Sequence, residues 1–209
     1  AVAVDQAGRR KGSFAVYLEP HHADFMEFLD IRKPERPENM SAKDLFSAVW
    51  LSDLFMKRVK EGGDWTFFDP NTNDDTRMLD TVYDDFDNKV YTQLYEKVEK
   101  SGVGIETMKA RDVWRAILIS QLKTGTPYLL NKDVANRTSN QKNLGTIKSS
   151  NLCAEIVQYS SPEETAVCNL ASINLSKFVD IENSTMNYDK IAEYAGIVTE
   201  NLNKVIDNS

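Results

Sequence analysis

The stretch Arg111-Asp112-Val113-Trp114-Arg115-Ala116-Ile117-Leu118-Ile119-Ser120-Gln121-Leu122-Lys123-Thr124-Gly125-Thr126-Pro127-Tyr128-Leu129-Leu130 decides the fold class. Val113, Trp114, Ile117 and Leu118 recur at helical spacing, Gly125-Thr126-Pro127 breaks the pattern, and Tyr128-Leu129-Leu130 is an apolar run of strand length. A helix followed closely by a strand is the order of an α/β fold. Upstream, residues 45–51 fit strand or helix by periodicity, and we read them as strand because Ser52-Asp53 can cap a helix over residues 54–59. Gly62-Gly63 ends that helix and residues 65–68 read as a short buried strand closed by Asp69-Pro70. Residues 71–76 read as a polar turn. Residues 79–98 read as mostly helical, with Val90, Leu94 and Val98 four apart and Gly102 and Gly104 as the stop.

Farther out, residues 13–18 alternate as a half-buried strand would, with Phe14, Val16 and Leu18 on one side and Pro20 ending it. Residues 23–31 place Phe25, Met26, Phe28 and Leu29 at helical spacing, and residues 33–39, with Pro34 and Pro37, form a surface loop. Residues 6–12 are a loop by composition, with two glycines and the cations Arg9, Arg10 and Lys11. The opening Ala1-Val2-Ala3-Val4 reads like the end of a strand, so we expect an internal segment of a longer chain. On the other side, residues 132–148 are polar and long for a structureless connection, which marks them as a candidate functional segment. Ala166-Val167-Cys168 and Ala171-Ser172-Ile173 read as strand-like runs. A final amphipathic helix is expected from about Tyr188, capped by Asn187 and with Asp189 in its first turn.

The composition, 41% hydrophobic and 27% charged, is that of a globular chain long enough for a sizeable core. A net charge of −7 disfavours a general electrostatic grip on nucleic acid or anionic lipid. No run approaches the roughly 20 apolar residues needed to span a bilayer, and the first ten residues lack the order of a signal peptide. A cytoplasmic chain is therefore expected, with its two cysteines serving as buried, metal-binding or redox groups rather than as a disulfide scaffold.

Asn151, Cys153 and Glu155 are spaced two apart, so in an extended segment their side chains would share one face. They offer a thiol, a carboxylate able to take a proton and an amide that donates and accepts. Fifteen residues on, beyond Ser160-Ser161-Pro162, Cys168 could return in a hairpin-like turn, and two thiols can deliver two electrons by forming a disulfide. A buried structural cysteine and a solvated glutamate are the bland alternative. His21-His22-Ala23-Asp24 lacks recognisable metal-ligand spacing and reads as exposed loop, and no metal ligands are assigned. A simple thiol oxidoreductase is disfavoured because the chain has no Cys-x-x-Cys.

Residues 139–156, Ser-Asn-Gln-Lys-Asn-Leu-Gly-Thr-Ile-Lys-Ser-Ser-Asn-Leu-Cys-Ala-Glu-Ile, followed by Ala166-Val167-Cys168-Asn169-Leu170-Ala171-Ser172, closely resemble the large subunit of class I ribonucleoside-diphosphate reductases of the eukaryotic and large-DNA-virus type. Residues 12–20, 53–59 and 124–128 resemble the same family in the same order, so the likeness spans nearly the whole chain. His21 stands where the family commonly has Trp.

The resemblance implies part of a ten-stranded α/β barrel, with residues 139–173 as the cysteine finger loop and its flanking strands. It implies reduction of ribonucleoside diphosphates to 2′-deoxyribonucleoside diphosphates. Cys153 would be the thiyl radical, Glu155 the base at the 3′ hydroxyl, Asn151 a substrate ligand and Cys168 one of two reducing cysteines. The loop of residues 1–12 would link an effector site to the substrate base, with Gln6 and Arg10 as the candidate contacts. Implied partners are a metal-containing, radical-generating small subunit, a thioredoxin- or glutaredoxin-type reductant, ATP and dNTP effectors, and a second large subunit in a homodimer. The other parts of that machinery are not among these 209 residues, so the isolated segment is expected to be inactive. The alternative is a non-catalytic or truncated nucleotide-binding paralogue that acts in subunit assembly.

Overall fold

The computed structural model describes residue 8 and residues 12–208, and the chain divides into two compact units, with the boundary in sequence between Thr165 and Ala166. The first unit is built on three parallel strands, β1 (Ala15–Leu18), β2 (Phe46–Leu51) and β5 (Tyr128–Asn131), in the order β1-β2-β5. Ala48 stands between Tyr17 of β1 and Tyr128 of β5. Alternation then places Leu18, Val49, Leu51 and Leu129 on the opposite face, where they join the main hydrophobic core.

Between β1 and β2 the chain forms a short α-helical turn, α1 (Phe25–Phe28), whose Phe25 and Phe28 are buried, and a 3-10 turn at Glu38–Met40. Ser52 starts α2 (Asp53–Glu61) as expected, its hydroxyl accepting the Phe55 N–H at 3.2 Å, and Gly62 ends it with φ 76°. The strand β3 (Asp64–Phe67) pairs antiparallel with β4 (Glu106–Lys109), whose polar sequence carried no strand signal. In the core Trp65 stacks on Tyr95 at 4.4 Å and meets Phe55 edge-on at 4.9 Å. The helix α5 (Ala110–Thr124) covers this cluster with Val113 and Ile117.

Three helices in this unit differ from what the sequence predicts. The polar turn at residues 71–76 contains the start of a helix, α3 (Asp74–Met78), because Asn73 and Thr76 cap it reciprocally. The expected helix over residues 79–98 begins only at Val90, as α4 (Val90–Lys100). Ahead of it, Asp84 is buried in the loop and accepts the Thr92 N–H and hydroxyl, which fixes an irregular entry. The polar segment after β5 opens with a helix, α6 (Lys132–Thr138), whose Lys132, Asp133 and Asn136 are buried. Polar residues of that kind are expected in loops, but here each has a partner inside the unit, so burial does not exclude them from a helix.

In the second unit, α7 (Tyr188–Asp207) is capped by Asn187 as expected, its side chain accepting the Lys190 N–H at 2.9 Å. A two-residue ribbon of β6 (Val179–Asp180) and β7 (Thr185–Met186) precedes it. The strands expected at residues 166–168 and 171–173 are absent, and residues 139–173 contain no strand beside the cysteine loop. A strand is stabilised by its neighbours' ladder, and no described residue pairs with these runs.

Candidate active site

The cysteine loop grows out of α6. Asn136, buried near its end, clamps the main chain of Ile147: its Oδ1 accepts the Ile147 N–H at 2.7 Å and its Nδ2 donates to the Ile147 carbonyl at 2.9 Å. One amide thereby does what a neighbouring strand would do. The Thr146 hydroxyl donates to the Thr81 carbonyl at 2.6 Å, and Gln141 Oε1 accepts the Tyr159 N–H at 2.8 Å. Gly145 is required beside that tyrosine, because a Cβ there would lie 2.5 Å from the Tyr159 ring.

Beyond these anchors the chain is drawn into a narrow finger. Asn151 Oδ1 accepts the Ile156 N–H at 3.2 Å and the Ser150 hydroxyl lies close to the Ile156 carbonyl, which cinches the base. At the tip, the Ala154 N–H donates to the Asn151 carbonyl at 3.3 Å and Ala154 takes a left-handed conformation with φ 66°. The segment is therefore a turn and not the extended run on which a shared face for Asn151, Cys153 and Glu155 was expected. Curvature at the tip still leaves both Cys153 and Glu155 exposed.

Asn151 is oriented by its own loop. With Oδ1 occupied by Ile156 and Ser150, its Nδ2 donates to no acceptor among the described residues and is free to meet a ligand. Tyr17, on the sheet face opposite the main core, donates its hydroxyl to the Asn151 carbonyl at 2.8 Å. Its ring meets Trp50 edge-on at 6.1 Å. Burial pushes the Tyr17 pKa up. The Ser150 hydroxyl opposes this, and Tyr128, Glu155 and Cys153 push the same way, so all five groups share one electrostatic neighbourhood.

A second polar cluster lies where β1 and β5 end. The fully buried Lys132 ammonium donates to both Glu19 oxygens at 2.6 and 2.8 Å and to the Leu79 carbonyl at 3.0 Å, and lies 4.3 Å from the Tyr91 ring centroid. His21 is not the exposed loop residue expected. It is 3% exposed, with Nδ1 at 3.1 Å from the Tyr91 hydroxyl and Nε2 at 3.1 Å from Asp80. Burial opposes its protonation, but the hydrogen bonds to Asp80 and Glu19 outweigh this and leave its pKa raised. Asp133 Oδ1 accepts the Asp84 N–H at 2.8 Å and Oδ2 the Asp53 N–H at 2.6 Å, fastening α6 to two neighbouring segments.

Of the residues singled out from sequence, Asn151, Cys153 and Glu155 are brought together on the finger. Cys168 is exposed and belongs to the second unit. Gln6 and Arg10 lie outside the described residues. Tyr17, Ser150 and Asn136 were missed as site residues. Tyr17 had one visible signal, a polar-tipped aromatic on the strand face opposite Val16 and Leu18, but that pattern also fits an ordinary half-buried tyrosine.

Three parallel strands flanked by helices, with a tightly cinched, cysteine-tipped loop beside them, define the class: a parallel α/β scaffold carrying a cysteine loop. The sequence profile of the ribonucleotide reductase barrel domain matches residues 1–209, and the chain belongs to that family. It is 53% identical over 205 residues to the ribonucleoside-diphosphate reductase large chain of Neurospora crassa, covering 98% of this chain and 21% of that one. It is 51% identical over 211 residues to the large chain 2 of Saccharomyces cerevisiae, covering 99% and 23%, and 49% identical over 223 residues to the large subunit of Arabidopsis thaliana, covering 98% and 26%. The chain thus spans about a quarter of the length of these relatives. Among the described residues, no helix is long and apolar enough to cross a membrane.

Proposed function

We propose that the chain is the active-site segment of a ribonucleoside-diphosphate reductase large subunit, and that its finger carries the radical chemistry. The observation that supports this most is the finger itself, with Cys153 and Glu155 exposed within one turn and the Asn151 amide N–H group left free beside them. Cys153, as a thiyl radical, takes the 3′ hydrogen atom of the ribose and becomes a thiol. Glu155 takes the 3′ hydroxyl proton while Asn151 holds the substrate hydroxyls. The 2′ hydroxyl leaves as water with a proton from the reducing cysteines. Cys168 and a second thiol outside this segment supply two electrons by forming a disulfide, their second hydrogen going to C2′; Glu155 returns its proton to the 3′ oxygen and Cys153 returns its hydrogen to C3′, which restores the thiyl radical. A metal-containing small subunit would supply the oxidising equivalent that makes the radical. A thioredoxin- or glutaredoxin-type dithiol restores the cysteines, nucleoside triphosphates act as effectors, and two large subunits pair.

Cys153→Ser in the full-length protein should abolish reduction of ribonucleoside diphosphates in an assay of deoxyribonucleotide product. Retained activity would overturn the assignment. Glu155→Gln should lower kcat by about 10²- to 10⁴-fold while substrate affinity, measured by equilibrium binding, stays close to wild type. A matching loss of affinity would contradict the role as base.

A further inference from the structure

The Asn151 carbonyl accepts twice. The Ala154 N–H reaches it at 3.3 Å and closes the turn that contains Cys153, and the Tyr17 hydroxyl reaches it at 2.8 Å and ties that turn to β1. Among the described residues, Tyr17 is the one side chain from outside the loop that hydrogen-bonds residues 150–156. Its own position is set by the sheet. Ala15–Leu18 pair with Phe46–Val49 of β2, and the ring abuts the buried Trp50. Ala154 sits in a left-handed conformation that disfavours a residue with a Cβ, so the turn needs support from contacts around it. The finger meets this support at one point, a phenol held on a rigid strand.

We propose that Tyr17 is a positioning residue of the active site: its hydroxyl, by donating to the Asn151 carbonyl, holds the turn that sets Cys153 and Glu155 in place. The inference rests on the reductase reading only for what the turn does. That Tyr17 holds the turn can be read independently. The phenol suits the task because it is protonated, and therefore a donor, at neutral pH, and burial pushes its pKa further up.

The test uses the full-length protein with Tyr17→Phe, which keeps the ring and removes the hydroxyl, and Tyr17→p-aminophenylalanine, which restores a donor at the same position. Two readouts are taken. Iodoacetamide alkylation of Cys153, followed by peptide mass spectrometry with Cys168 as internal control, needs no activity. Tyr17→Phe should speed alkylation of Cys153 about fivefold and leave Cys168 unchanged, as expected for loss of one hydrogen bond that holds a turn closed. The aminophenylalanine variant should return the rate to within about twofold of wild type. In turnover, Tyr17→Phe should lower kcat about tenfold with KM within about twofold, since the lost alignment matters at the reacting atoms rather than for binding.

Unchanged Cys153 alkylation in Tyr17→Phe, equal acceleration at both cysteines, or no recovery with the restored donor would each overturn the proposal. Should Tyr17→Phe fail to fold, the aminophenylalanine variant decides alone, a wild-type alkylation rate supporting the proposal and an altered one overturning it. If wild type and Cys153→Ser show equal reductase activity, the functional reading falls while the alkylation result still judges Tyr17.

Discussion

At the residue scale, the finger and the buried lysine show two ways in which a polar group becomes useful. Cys153 and Glu155 are exposed at a loop tip, and in the proposed reading their usefulness comes from being presented. Lys132 is fully buried, and its ammonium is tolerated because Glu19, the Leu79 carbonyl and the Tyr91 ring all meet it. Lys132→Met should therefore destabilise the fold by about 3–5 kcal/mol in urea denaturation, mainly because it removes the ammonium that meets both oxygens of the buried Glu19 and leaves His21 as the one charged partner facing that carboxylate among the described residues. The paired variant Lys132→Met/Glu19→Leu should recover most of that loss. A single variant as stable as wild type would show that the pair contributes nothing.

At the element scale, α6 matters more than its seven residues suggest. It follows β5 directly, is fastened by Asp133 to the backbone of Asp53 and Asp84, and passes that order to the cysteine loop through Asn136. Asn136→Ala removes both hydrogen bonds to Ile147 and leaves the buried Ile147 N–H and carbonyl unsatisfied. The expected cost is about 1–3 kcal/mol, with faster amide exchange at Ile147 measured by hydrogen–deuterium exchange. Exchange at wild-type rates would place the loop's anchor elsewhere. Local signals were enough to read some elements: Ser52 capping α2, Asn187 capping α7, and the apolar run of β5 behind Gly125-Thr126-Pro127 all form where propensity puts them. They failed at β4 and α6. Glu106–Lys109 is a strand because Asp64–Phe67 offers it a ladder, and Lys132–Thr138 is a helix with buried charges because its partners lie some 50 to 110 residues away in sequence.

At the scale of the whole molecule, the cluster at the ends of β1 and β5 couples stability to pH. The His21 pKa is raised by Asp80 and Glu19 despite burial, so its contribution is complete below the ordinary histidine value, about 6.5, and is lost as pH rises through the elevated folded value. Burial would raise Asp80, but its bond to His21 prevails and its pKa is lowered. Its contribution is present above the ordinary aspartate value, about 3.9, and is lost as pH falls through the depressed folded value. The pair should therefore stabilise the protein most between about pH 4 and about pH 6.5. Urea midpoints measured from about pH 6 to about pH 9 should fall in wild type and flatten in His21→Gln. Equal slopes in the two proteins would rule out His21 as the source.

The sequence alone was sufficient for the α/β class and the order of most elements. Residues 139–156, read by likeness, also pointed to the family and to Cys153 as the centre of interest. These features are local, because a cap, a glycine stop or a contiguous motif lies within a few neighbours of the residue it affects. Tertiary structure alone decided that Asn151-Leu152-Cys153-Ala154-Glu155 is a turn rather than an extended run. It also decided that the turn is tied to Tyr17 134 residues away, and that His21 and Lys132 are buried partners rather than solvated charges. Those outcomes depend on hydrogen bonds and desolvation between segments far apart in the chain. A polar residue's place is set by whether a partner waits in the interior, and its sequence neighbours do not carry that information.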